Sequence, residues 1–213
     1  MVFKFKLVQE AYMAKQLYIF AGVDGAGKST FYVNQLYKDG FFGARINPGE
    51  IVKEFGNWKS QKDQNRAAKI ALSLRKSYLS RGIDFNIETT LSGHGIIKFI
   101  KLAKEKGYHI TLFYVGLDSV ALSKQRVAIR VAKNGHSIDE AVLERRYSQS
   151  FKNLAIALPL CDEIFFYDNC AHIANEQDQQ LSNLKLVAVK KNGKIEKILD
   201  ENVPWFEGVV KDI

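Results

Sequence analysis

Eight residues, "GVDGAGKS" from Gly22 to Ser29, constrain this chain more than any other stretch. They fit the pattern G-x-x-x-x-G-K-[ST], in which loop N–H groups cradle phosphates, the lysine reaches the β- and γ-phosphates and the hydroxyl ligates Mg²⁺. The pattern needs a strand before it and a helix after it. "LYIFAG" (Leu17 to Gly22) is a short apolar, aromatic-rich run suited to a buried strand, and Ser29 to Lys38 reads as a helix closed by Gly40. Phosphate would therefore sit at a helix N-terminus, where free N–H groups and the helix dipole favour an anion. The expected nucleotide-binding residues are Gly22, Asp24, Gly25, Ala26, Gly27, Lys28, Ser29 and Thr30, with Ser29 as the Mg²⁺ ligand and ATP and Mg²⁺ as cofactors.

The remaining segments alternate strand and helix. "ARINPGEI" (Ala44 to Ile51) reads as a strand running into a turn at Pro48-Gly49, where a helix starts. Between Gln61 and Arg81, Ala67, Ile70, Ala71, Leu74 and Tyr78 recur at helical spacing, and Gly82 stops the run. The strand "DFNIETT" (Asp84 to Thr90) precedes a helix marked by Ile96, Phe99, Ile100 and Ala103, and the strand "HITLFYVG" (His109 to Gly116) follows it. Ser119 can cap a helix to about Asn134, and Ser137 and Glu140 have capping-box spacing for another that ends before Pro159. "EIFFYDN" (Glu163 to Asn169) is the last buried strand.

This order predicts an α/β fold, a P-loop kinase-like parallel sheet with helices on both faces. "LKLVAVKKNGKIEKIL" departs from it, because its alternation around Asn192-Gly193 predicts a C-terminal antiparallel hairpin at the sheet edge. Three regions are expected: an N-terminal extension at 1–16, a kinase domain at 17–170 whose lid helices span about 119–158, and a hairpin and tail at 171–213 packed on the same domain. Residues 1–12 are expected to be dispensable.

Phosphoryl transfer needs charge around the transferred group more than covalent help. Arg126, Arg130 and Lys133 fall at i, i+4 and i+7 on one helix, and Arg145-Arg146 lie at the start of the next. Glu88 stands at the carboxyl end of a strand, where open α/β sheets place their ligands, and Glu50 is the other strand-end carboxylate of the first half. Asp168 and Asn169 end the last strand, as base contacts or as turn formers.

Composition removes several alternatives. A net charge of +8 on 213 residues is not accompanied by a basic run with interleaved aromatics, so an anionic nucleotide explains the sign and no nucleic-acid partner is expected. No apolar run reaches the roughly 18 residues of a membrane span, so no membrane partner is expected either. The two cysteines, Cys161 and Cys170, and four scattered histidines have no disulfide or metal-site spacing. The expected location is the cytoplasm.

The segments "FAGVDGAGKST", "RINPGEI", "NIETTLSG", "KGYHITLFYVGLDS", "RVAIRVAKNGHSI" and "RRYSQSFKNLAIALPLCDEIFFYDN", in order from Leu17 to Asn169, together resemble the zeta-toxin-like family of small bacterial P-loop kinases. The resemblance implies ATP-dependent phosphorylation of a hydroxyl of a sugar nucleotide such as UDP-N-acetylglucosamine, and a small antitoxin protein as partner. It implies Glu88 and Thr90 as contacts to the sugar nucleotide and Arg130 as a phosphate contact; Asn47 and Ser92 are the other expected substrate-binding residues, and Arg126 is expected beside Arg130 on the nucleotide. Lys28, Arg130, Glu50 and Glu88 are then the catalytic set. His136 falls near a second family arginine, whose role would pass to Arg145 or Arg146. Where the family usually carries an aspartate as base, this chain has Gly49, with Glu50 adjacent. Two other readings share the loop: a nucleoside monophosphate kinase, and a nucleotide-binding regulator with weakened catalysis.

Overall fold

The computed structural model describes residues 14–57, 59–133, 135, 137–170, 184–198 and 202–211. Residues 1–13, which include the expected dispensable extension, His136 and the first part of the expected C-terminal tail at 171–183 lie outside the described residues. The described elements are β1 (Lys15–Gly22), α1 (Lys28–Asp39), β2 (Ala44–Ile46), α2 (Pro48–Phe55), α3 (Gln61–Arg81), β3 (Phe85–Thr89), α4 (His94–Glu105) and β4 (Tyr108–Gly116). They continue with α5 (Val120–Ala132), α6 (Glu140–Ala157), β5 (Glu163–Asp168), β6 (Lys185–Lys191), β7 (Lys194–Lys197) and α7 (Pro204–Val210).

These strands form one sheet in the order β2-β3-β1-β4-β5-β6-β7. The first five run parallel, and β6 and β7 add antiparallel to the β5 edge, as the sequence predicts. Asn192 and Gly193 both have positive φ, 52° and 75°, which is the requirement of the tight hairpin turn between β6 and β7.

Side-chain alternation along β1 builds two cores. Leu17, Ile19 and Ala21 face the layer that contains Ile110, Leu112, Tyr114, Leu154 and Trp205, whereas Phe20 faces Phe31 of α1, Phe42 and Phe113. The second core is largely aromatic: Phe20 and Phe113 stack at 5.0 Å, and Phe42 meets Phe20 edge-on at 5.4 Å. Complete burial of Leu17 or Ile19 contributes roughly 1.5–3 kcal/mol each, enough to fix the β1 register.

That register brings the functional strand ends level. Ala21 pairs with Thr89, Gly22 with Val115, and Gly116 with Asp168, so β1, β3, β4 and β5 all finish at one edge. At Gly22 (φ 147°) a Cβ would lie 2.1 Å from the Val115 carbonyl oxygen, so only glycine lets the chain leave β1 there.

Two expectations need correction. The cap of α6 is Asp139, whose carboxylate accepts the Val142 N–H at 3.1 Å, and not Ser137. An ionised carboxylate at the first turn also meets the positive end of the helix dipole, which a hydroxyl two residues earlier cannot do. The sequence reading also missed α7, a helix short enough to carry little periodicity. Its signal was Pro204 at the first helical position followed by the apolar Trp205, Phe206 and Val209, all buried. No described helix is long and apolar enough to cross a membrane.

Candidate active site

The loop Val23 to Gly27 joins β1 to α1, and Gly27 at the cap position offers no side chain to the first N–H groups of α1. The Lys28 ammonium folds back over the loop and donates to the Val23 carbonyl at 2.8 Å. Burial pushes this ammonium below the usual lysine range, Asp24 and Glu88 work against that, and Arg130 and Arg146 add to it. Asp24 is almost fully buried, and the Arg146 guanidinium approaches its Oδ2 at 3.6 Å. Ser123 of α5 donates to the Asp24 carbonyl at 2.6 Å and so ties this helix to the loop. Thr30 is exposed on the first turn of α1.

Glu88 connects this loop to the second half of the site. Its Oε1 accepts the Ser29 hydroxyl at 2.7 Å, and its Oε2 accepts Arg45 Nη2 at 2.7 Å and Asn47 Nδ2 at 3.1 Å. Arg45 also binds Glu50 through Nε and Nη2, at 3.0 and 2.9 Å to Oε1. Its remaining edge reaches Asn86 at 3.1 Å, and its plane lies over the Tyr32 ring at 3.6 Å. Burial lowers the guanidinium pKa, but the bonds to Glu50 and Glu88 outweigh it and raise the net value. Arg45 was not singled out from the sequence; its signal was a charged residue inside a short strand, two positions before the Asn47 cap.

Asn47 caps α2 by accepting the Gly49 N–H at 2.8 Å and turns its amide toward both carboxylates. Gly49 is an ordinary first-turn residue: a Cβ there would meet only Asn47 Oδ1, at 3.2 Å.

A pocket of about 790 Å³ opens between two walls. Ser29, Asn47, Glu50 and Glu88 line it, with Lys53 beside them, and Arg130, Lys133 and Arg146 contribute further cations. The expected basic stripe is thereby divided. Arg130 and Lys133 line the pocket, while Arg126 lies beyond the loop, its Cβ against Gly25 and its guanidinium within electrostatic reach of Cys170 and Asp168. Burial lowers the pKa of Arg126 and of Arg130. Arg145 is exposed and Arg146 lines the pocket, so geometry singles out Arg146 of that pair. Lys124 joins α5 to α6 by pairing with Glu140 at 2.9 Å and Glu144 at 2.7 Å.

Thr90 and Ser92 do not line this pocket. Their hydroxyls are 2.7 Å apart and bond each other just past β3, where Leu91 takes a positive φ of 58°. Of the residues expected from the sequence, the loop, Asn47, Glu50, Glu88 and Arg130 converge.

A sequence profile of the AAA domain family matches residues 17–153. An uncharacterized protein of Haemophilus influenzae is 29% identical over 135 residues, covering 63% of this chain and 94% of that protein. Among solved structures, one from the PezAT chromosomal toxin-antitoxin system of Streptococcus pneumoniae superposes with a TM-score of 0.54 at 21% identity, over 75% of this chain and 70% of that one. The AvrRxo1-ORF1:-ORF2 complex solved with ATP superposes with a TM-score of 0.65 at 16% identity, over 92% of this chain and 63% of that one. These likenesses agree with the mostly parallel P-loop kinase fold seen here. With the phosphate loop, the strand order and the profile match in agreement, the chain belongs to the AAA domain family.

Proposed function

We propose that the protein is an ATP-dependent kinase that transfers the γ-phosphate to a hydroxyl of a sugar nucleotide such as UDP-N-acetylglucosamine. The observation that carries this reading is the sharing of Glu88 between Ser29 and the Arg45–Asn47–Glu50 wall, with Arg130 and Arg146 in the same pocket. The Ser29 hydroxyl fits a Mg²⁺ ion bound with nucleotide, since hydroxyl oxygens are hard ligands, and Glu88, which accepts that hydroxyl, would orient it. Such an ion would supply positive charge to the phosphates during transfer.

Lys28 holds the phosphates, and Arg130 and Arg146 meet charge spread over the transferred group. Glu88 orients the acceptor hydroxyl, and Glu50 accepts its proton late, which suits a loose transition state with little demand for a strong base. The acceptor wall adds Gln61, Gln64 and Asn65, amides suited to sugar hydroxyls, and no aromatic ring lines it among the described residues. Those amides support a polyhydroxylated sugar at the reacting end of the acceptor. A small antitoxin is the proposed protein partner, by analogy with the toxin-antitoxin system of the structural neighbour, and the kinase domain with its hairpin is the proposed working unit.

The test is incubation with γ-labelled ATP, Mg²⁺ and a panel of UDP-sugars and nucleoside monophosphates. Label is expected on a UDP-sugar, and Lys28→Ala is expected to abolish both transfer and most ATP affinity. Label on a nucleoside monophosphate would select the alternative kinase, and no transfer at all would select the regulator.

A further inference from the structure

The family match ends at residue 153, yet the later elements reach the phosphate loop directly. Asn169, just past β5, donates its side-chain amide to the Ala26 carbonyl of the loop at 3.0 Å, and its own N–H bonds the Gly116 carbonyl at 3.3 Å. The same amide is the atom that a Cβ on Gly27 would meet, at 3.1 Å. The residue before it, Asp168, is held on both oxygens. Oδ1 accepts the Trp205 indole N–H and the Cys170 thiol, each at 2.8 Å, and Oδ2 accepts the Cys170 N–H at 3.0 Å.

Trp205 comes from α7 and is 6% exposed. Its ring packs against Tyr114 of β4 and Phe151 of α6, at centroid distances of 5.7 and 6.0 Å. It also fills the space beside Gly116 so closely that a Cβ there would lie 2.2 Å from the ring. One side chain thus fixes the ends of β4 and β5 relative to a lid helix. The continuous path is indole to Asp168, Asp168 to Asn169 along the backbone, and Asn169 to Ala26.

We propose that Asn169 is a further residue of the nucleotide site, holding the phosphate loop in its binding shape, and that Asp168 and Trp205 are positioning residues that couple the C-terminal helix to nucleotide affinity. The proposal rests on the reading of the loop as the ATP site. A loop rich in glycine loses conformational entropy when it closes on phosphate, and a bond to one of its carbonyls reduces that loss in advance. Trp205→Phe removes the N–H donor to Asp168 together with part of the indole packed beside Gly116, so the double variant with Asn169→Ala, and not the single one, separates positioning from core filling.

The experiment uses the full chain carrying Trp58→Phe, which leaves Trp205 as its sole tryptophan, two being present in the sequence. Titration with ATP and Mg²⁺ is expected to change Trp205 emission saturably, with the midpoint equal to the calorimetric ATP Kd. Asn169→Ala, in this background and in the natural sequence, is expected to weaken ATP about five- to tenfold, the scale of one lost hydrogen bond. In the natural sequence Trp205→Phe is expected to match it. The double variant is expected to be no weaker than the worse single one, because both act through one contact. ATP affinity within twofold in both single variants, while Lys28→Ala abolishes binding, would overturn the proposal and leave the loop assignment standing. Additive losses, or a silent Trp205 signal at saturating ATP, would also overturn it by reducing Trp205 to a packing residue. Undiminished ATP binding in Lys28→Ala would instead remove the loop assignment and the proposal with it.

Discussion

The Ser29 hydroxyl donates to Glu88 at 2.7 Å, so the residue that ends the phosphate loop and the carboxylate that ends β3 form one unit. The pairing follows from strand register: Phe20 lies opposite Glu88, and the chain must leave β1 at Gly22 to bring Ser29 back over the neighbouring strand end. The backbone thereby places together the hydroxyl proposed to bind Mg²⁺ and the carboxylate proposed to serve the acceptor.

Arg45 should be the least replaceable residue of the acceptor wall. Its side chain is 14% exposed, Glu88 is 13% exposed, and Glu50 is 49% exposed, so the bond to Glu88 is the costlier one to break. Arg45→Lys keeps the charge and loses the fork that serves both carboxylates. Expected is a stability loss of about 1–3 kcal/mol by denaturant unfolding, with kcat down at least tenfold. Unchanged unfolding midpoint and kcat would show that the two carboxylates hold their places without it.

The resemblance drawn from the sequence puts a family aspartate at Gly49, and in this structure Arg45 and Asn47 hold the adjacent Glu50 at the pocket wall. Gly49→Asp should fold, since its Cβ would meet only one side-chain atom, and it should leave kcat within about threefold. Glu50→Gln should lower kcat by about a hundredfold with the ATP Kd preserved. A rise of tenfold or more in Gly49→Asp, with Glu50→Gln silent, would mean that the natural site lacks a working base.

Arg130→Ala should reduce kcat far more than ATP affinity, because a group that meets developing charge acts mainly in the transition state. Arg146→Ala should cost affinity as well, since its guanidinium faces both the pocket and the buried Asp24 carboxylate. Parallel losses of kcat and affinity in Arg130→Ala would assign that arginine to ground-state binding.

Acid stability should depend on Asp162. Burial raises its carboxyl pKa, but the Lys104 ammonium and the Ile110 N–H at 2.8 Å outweigh that and hold it below the ordinary carboxylate value. Its folded pKa is thus depressed, so its contribution is complete above the unfolded value of about 3.9 and is lost as pH falls through the folded one. Asp162→Asn should lower Tm at pH 7, with the gap to the parent closing below about pH 4. A gap constant from pH 7 to pH 3 would contradict this.

Much of the fold was legible because its signals are local. The loop spacing, the periodicity of α3 with Gly82 at its end, and Asn192-Gly193 each fix a backbone shape within a few residues. The site was legible only where a motif or strand end marked it. Arg45 is reached through contacts 5 to 43 residues away in sequence, to Glu50 and Glu88, and no spacing rule encodes such distances. The division of the basic stripe was hidden for a related reason. Helical spacing places Arg126 and Arg130 on one face, but Arg126 packs against Gly25 while Arg130 passes on into the pocket. Trp205 illustrates the limit furthest from the motif, acting on the loop across the ends of two strands.

The most direct measurement is the initial rate of phosphate transfer from ATP to UDP-N-acetylglucosamine, read by label and by mass of the product, for the parent and for Glu88→Gln. A singly phosphorylated sugar nucleotide is expected with the parent. With Glu88→Gln the rate is expected to be at least about a hundredfold lower at a nearly unchanged ATP Kd, because Glu88 serves the acceptor hydroxyl in the proposed reaction. A parent that binds ATP yet phosphorylates no sugar nucleotide, or a Glu88→Gln variant as fast as the parent, would contradict it.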